Sequence, residues 1–116
     1  MIRRNGGQVM ELLTKLEELV LIAVLRLKDK AYGISVYNYI VDLTGKDVSV
    51  SSVYFPLERL VGKGYLQTLI GEPTPQRGGM SKRYYRLTRS GVKALQENRS
   101  LHETAWKGVS DILKSS

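Results

Sequence analysis

The chain has 116 residues, no cysteine and one histidine, with 18 Lys and Arg against 11 Asp and Glu, a net charge of +7. That length and a hydrophobic share of 42% suit one globular domain with an appended helix. The absence of cysteine excludes a disulfide framework and a thiolate metal site, and the positive surplus favours a polyanionic partner, nucleic acid or an acidic membrane surface.

Residues Met1 to Gln8 read as a disordered arm from which Arg3 and Arg4 could touch phosphates, a solvated tail being the simpler reading. No sustained apolar core or small-residue cleavage site follows the two arginines, so no secretory leader is expected. The longest apolar run, Leu19 to Leu25, spans seven residues, whereas a bilayer crossing takes about 20. The expectation is a soluble, cytoplasmic protein without a membrane partner.

Thr14-Lys15-Leu16-Glu17 has capping-box spacing and predicts a helix from there to about Lys28. Its apolar residues nearly encircle it, which predicts burial on most sides. Lys28 to Gly33 reads as a turn. A second helix follows from Gly33 to Leu43, stopped by Thr44-Gly45, with Gly45 in the left-handed position.

Ser49 is the expected cap of a third helix reaching Lys63. Val50, Val53, Tyr54, Leu57, Leu60 and Val61 form its apolar stripe, and Ser51, Ser52, Phe55, Glu58, Arg59 and Lys63 its opposite face. Pro56 falls inside and is expected to kink the axis at the Ser52 carbonyl.

Tyr65 to Ile70 and Ser81 to Leu87 read as strands joined by a loop, Gly71 to Met80, rich in proline and glycine. In the second strand Tyr85 and Leu87 should face the core, and Lys82, Tyr84 and Arg86 outward. Thr88 should cap a last helix. Its stripe of Val92, Leu95, His102, Ala105, Trp106, Val109, Ile112 and Leu113 weakens at Asn98-Arg99-Ser100, which leaves its continuity there open. Two strands cannot bury a sheet of their own and must pack on the helices. The fold class is mainly α (α+β), a winged helix-turn-helix with a two-stranded β-wing and a C-terminal helix.

The residues quoted resemble those of PadR-type transcriptional regulators. The resemblance rests on Glu17-Glu18-Leu19, Ala31-Tyr32-Gly33-Ile34, Ser52-Val53-Tyr54 with Leu57-Glu58-Arg59-Leu60, and Lys63-Gly64-Tyr65-Leu66. It continues through Gly71 to Pro75, Gly78-Gly79 and Lys82 to Thr88 with Gly91, so that it covers roughly Leu16 to Leu95. It implies a bacterial homodimer, usually a repressor. The third helix would enter the major groove, the wing would contact backbone or minor groove, and the C-terminal helix would dimerise. Residues 1–88 would then be the DNA-binding domain and 89–116 the dimerisation helix. Two departures stand out. The family often has its helix proline directly after the tyrosine, where this chain has Phe55 before Pro56, and often a basic residue after the glycine pair, where this chain has Met80.

Between Gln76 and Arg89 lie Arg77, Lys82, Arg83, Arg86 and Arg89 with no acid among them. Arg77, Lys82, Arg83 and Arg86 suit phosphate contacts, which position a protein without reading sequence. Tyr84 is either a phosphate donor or packing along the hairpin. Base reading should come from the start of the third helix, where Ser49, Ser51 and Ser52 are small enough to let it sit deep, with Phe55 and Arg59 on the same face. Arg59 has a salt bridge as its alternative role. His102, Trp106 and Val109 mark the dimer stripe. Trp106 reads first as a dimer anchor, and second as the wall of a pocket for a small hydrophobic effector.

With one histidine and scattered acids no conventional catalytic or metal site can be assembled, so neither enzyme activity nor a cofactor is expected. The reading is a dimeric repressor on a pseudo-palindromic double-stranded operator. Its rivals are a winged helix used for protein–protein contact and a regulator governed mainly by an effector at the dimer interface.

Overall fold

The computed structural model describes residues 2–4, 8–10, 12–71 and 81–116. Where the disordered arm was expected, β1 (Ile2–Arg4) pairs antiparallel with β2 (Gln8–Met10), in a register that sets Ile2 against Met10 and Arg4 against Gln8. The central element is α1 (Lys15–Leu27). The Thr14 hydroxyl accepts from the Glu17 amide at 3.0 Å, and Glu17 Oε1 accepts from the Thr14 amide at 2.9 Å, so the capping box is closed in both directions. Val20, Leu21, Ala23 and Val24 are buried because α2 (Gly33–Thr44), α3 (Val50–Gly62), α4 (Arg89–Trp106) and the wing strand β4 (Arg83–Leu87) all touch this one helix.

The turn after α1 is a short 3-10 segment, Lys28–Lys30, entered through Lys28 at φ 55°. Gly45 ends α2 at φ 65°, where its amide donates to the Val41 carbonyl at 2.8 Å. The Tyr37 hydroxyl, donating to the Val48 carbonyl at 2.7 Å, ties down the connection to α3. Ser49 caps α3 by accepting from the Ser52 amide at 3.2 Å.

The buried face of α3 is Val53, Pro56, Leu57 and Leu60. Val50, expected on that stripe, is exposed because the first turn projects past the edge of the core, and Tyr54 and Val61 lie at its margin, half-buried. Pro56 takes an inward place, and the helix runs through it as one element. Proline leaves the Ser52 carbonyl without an i+4 amide, and burying the ring in the core offsets part of that loss.

Strand β3 (Leu66–Ile70) pairs antiparallel with β4 in a register that sets Leu66 against Leu87 and Ile70 against Arg83. Tyr85 is buried and Leu87 packs on the core, while Arg86 faces out, as the period of two requires. The pair gains a third edge, since Tyr32 bridges to Tyr84 and the Tyr85 amide donates to the Ala31 carbonyl at 2.8 Å. The wing is thereby pinned to the turn between α1 and α2.

Thr88 caps α4. Its hydroxyl accepts from the Gly91 amide at 3.0 Å and donates to the Gly64 carbonyl at 2.6 Å. The helix is continuous through Asn98-Arg99-Ser100, because the Asn98 amide donates to Glu18 Oε2 at 2.6 Å and anchors the weak stretch to α1. The break comes later. Gly108 at φ 79° ends the run, and α5 (Val109–Lys114) follows, so 89–116 is two helices and not one. Among the described residues no helix is long and apolar enough to cross a membrane.

Gly91 is fixed by close approach. A Cβ there would meet the Tyr65 carbonyl oxygen and stand 3.0 Å from its carbon, both backbone atoms. Gly91→Ala should therefore lower stability by about 1–3 kcal/mol, whereas Gly62→Ala, with nothing within 4 Å of the new carbon, should be neutral or slightly stabilising. Thermal unfolding of the two variants side by side measures the contrast.

Candidate nucleic-acid interface

The outward face of α3 carries exposed Ser51, Phe55, Glu58 and Arg59, with Ser52 half-buried beside them. The structure therefore brings together the helix residues expected to meet DNA. The serines form a small network. Ser49 Oγ lies 2.7 Å from Ser52 Oγ and 3.2 Å from Ser51 Oγ. Phe55 stands clear of it, 65% exposed.

Arg59 makes a salt bridge within the protein. Its Nε donates to Glu17 Oε2 at 3.4 Å, and Lys63 Nζ reaches the same oxygen at 3.1 Å. Glu17 is 1% exposed. Burial alone pushes its carboxyl up, but hydrogen bonds from the Thr14 amide, Lys63 and Arg59, with the charge of Lys63, bring it below its ordinary value.

Among the described residues, the wing's Lys82, Arg83 and Arg86 are each held by the protein. Arg83 Nη1 donates to Glu58 Oε1 at 2.8 Å and so joins β4 to the outer face of α3. Lys82 Nζ sits 3.7 Å from the centroid of the Tyr32 ring, and Tyr84 meets the same ring edge-on at 5.7 Å. The Tyr84 ring thus packs on Tyr32. Arg86 lies opposite Gln67, and with that amide turned so that its oxygen faces the guanidinium, the oxygen accepts from Nε at 3.1 Å and Nη2 at 2.9 Å. Arg77 and Met80 lie outside the described residues.

Between the start of α2, α3 and β4 is a hollow of about 250 Å³ whose walls include Tyr32, Tyr54, Lys82, Arg83 and Tyr85. Burial pushes the Tyr85 phenol up, and Arg83 partly opposes it. Tyr54 packs over Gly33 so closely that a Cβ there would lie 2.5 Å from its ring. Glu58 is on the outward face the sequence predicts, but neither it nor Tyr32 is a site residue legible in the sequence. The motif holding Tyr32 was visible, but its nearness to Lys82 depends on a pairing across more than fifty residues.

On α4, His102 and Trp106 stack at 5.8 Å and 30°. They line a second hollow of about 250 Å³ with Leu13, Glu18, Asn98 and Leu101 among others. Val109, expected with them, lies beyond the Gly108 break on α5 and is not part of that wall. A larger apolar hollow, about 480 Å³ between the end of α1, the wing strands and Val92, carried no signal in the sequence. Among the described residues no group of three or more His, Cys, Asp or Glu side chains could hold a metal ion.

The model of the transcriptional regulator PadR-like family matches residues 20–97, which run from inside α1 across the helix-turn-helix and wing into α4. The chain belongs to the PadR-like family of transcriptional regulators. Solved structures share its fold. A PadR family regulator from Eggerthella lenta is 24% identical over 84% of this chain and 83% of that one, with a TM-score of 0.66. A regulator from Clostridium thermocellum is 21% identical over 83% and 87%, also at 0.66, and a PadR-like regulator from Bacillus cereus is 21% identical over 86% and 88%, at 0.64. At these identities the likeness speaks for the winged-helix fold alone. No curated protein matches the chain. Family membership makes it a transcriptional regulator.

The Glu17 cluster has a pH signature. Its carboxyl is lowered in the folded chain, so the stabilisation is full above the unfolded value of about 4.3 and is lost as pH falls through the folded one. Glu17→Gln should cost about 1–2 kcal/mol at pH 7, since Lys63 and Arg59 are partly exposed. The gap between variant and wild type should close on acidification. Urea unfolding at pH 7, 5 and 3 checks this, and parallel curves with a constant gap would contradict it.

Proposed function

We propose that this protein is a dimeric, sequence-specific DNA-binding repressor. Residues 49–63 of each protomer enter successive major grooves, the wing strands lie along the backbone, and residues 89–116 dimerise. The observation that carries the reading is the outer face of α3. Ser51 and Phe55 are exposed and serve no core, Ser52 and Arg59 lie beside them, and this face borders strand β4, where Arg83 and Arg86, with Lys82 just before it, present positive charge.

Dimerisation draws support from the end of the chain. Leu101, Trp106, Ile112 and Leu113 are all exposed on α4 and α5, and a second copy would cover them. Two such protomers read half-sites about one helical turn, roughly 34 Å, apart on a pseudo-palindrome. The stacked His102–Trp106 pair supports a second, compatible reading, a small planar apolar effector taken at the same interface. Cytoplasmic residence fits both.

Selection from random duplex DNA should return a pseudo-palindrome. Lys82→Ala and Arg86→Ala should then weaken binding to all duplexes alike, each lowering the slope of log K against log salt by about one. Arg83→Ala should weaken binding and also release Glu58. Failure to enrich any duplex would reject the proposal.

Trp106→Ala should move the protein toward monomer in analytical ultracentrifugation and weaken operator binding with it. If an effector binds there, it must loosen DNA by the same factor by which DNA loosens it.

A further inference from the structure

We infer that Phe55 reads the 5-methyl group of thymine, so that the operator is specified at the centre of α3 by apolar contact more than by hydrogen bonds. The inference rests on α3 entering the major groove. It adds which chemical feature of the bases the helix recognises.

Phe55 is the chain's single phenylalanine. It stands 65% exposed on a helix whose core contacts are made by Val53, Pro56, Leu57 and Leu60. Folding therefore gains little from it. Its place is the middle of the outward face, with Ser51 and Ser52 one turn before it and Glu58 and Arg59 one turn after. A ring so placed faces the groove floor whenever this helix lies in the groove.

The neighbouring polar groups already have partners in the protein. The serine hydroxyls bond to one another. Glu58 holds Arg83, and Arg59 leans on Glu17. A base edge must compete with those partners to win a hydrogen bond from them. Phe55 takes part in no ring–ring or ring–cation contact among the described residues, so nothing of that kind must be broken. The thymine methyl is the apolar group on the major-groove edge, and apolar side chains, phenylalanine included, contact it. Burying the ring against one or two methyls removes apolar surface of both partners from water. Duplex DNA is the occupant that the basic strand beside this face favours, with Lys82, Arg83 and Arg86 all within it or next to it.

The test uses the full-length protein and the duplex returned by selection. Each thymine is replaced in turn by deoxyuridine, which removes the methyl and leaves the hydrogen-bonding edge and the phosphates unchanged. At one or two positions per half-site the wild-type protein should bind about 3- to 10-fold more weakly. Phe55→Ala should bind the thymine duplex about 10-fold more weakly and be indifferent to uracil at those positions, while Phe55→Leu keeps part of the discrimination. Circular dichroism of both variants should match wild type, since the ring lies outside the core. Wild-type affinity unchanged by uracil at every position, or full discrimination retained by Phe55→Ala, overturns the inference while leaving sequence-specific binding intact. Failure of wild type to prefer the selected duplex over a scrambled one overturns the DNA reading itself, and this inference with it.

Discussion

The buried carboxylate of Glu17 is the interaction on which the arrangement depends. One oxygen closes the cap of α1 on the Thr14 amide, and the other receives Arg59 and Lys63 from the far end of α3. A carboxylate so far out of water is tolerable only when its oxygens are filled, so the start of the core helix and the placement of α3 are settled together. The next residue, Glu18, takes the Asn98 amide from α4. Two consecutive acids in one helical turn thus fix α3, the helix proposed to read DNA, and α4, the helix proposed to carry the dimer contact.

The wing follows the same logic with weaker contacts. Arg83 on Glu58, Lys82 over Tyr32 and Arg86 against Gln67 are surface interactions that contribute little to stability. Their effect is geometric. They hold three cations in place along β4, one of them tied to α3, so that a backbone reaching the wing would meet charges already positioned and less side-chain entropy would be lost on binding. Strand β4 gains further rigidity from the Tyr32–Tyr84 bridge and the Ala31 carbonyl.

Local chemistry was legible and long-range partnership was not. Thr14 with Glu17, Ser49, Thr88 and Gly45 were readable because caps and left-handed stops are set within a few residues, and each does in the structure what its spacing predicts. The wing strands and their inward Tyr85 followed from a period of two. The role of Asn98 could not be read, since its partner lies 80 residues away. Arg83 read as free for phosphate because Glu58 lies 25 residues upstream on another element. Gly108 is a local signal of the break between α4 and α5, set by its own left-handed φ. For the candidate interface, the helical period sorted the face of α3 correctly except at Val50, where the core ends before the helix does. Sequence position said nothing of which polar groups on that face are already engaged.

The central claim is that α3 and the wing meet DNA while α4 and α5 meet a second protomer. Amide hydrogen exchange, compared between the free protein and its complex with the selected duplex, tests it most directly. The account predicts added protection on DNA binding in residues 49–63 and 81–88, with 99–114 already protected in the free dimer and little changed. Protection gained mainly in 99–114, with none across 49–63, would contradict it.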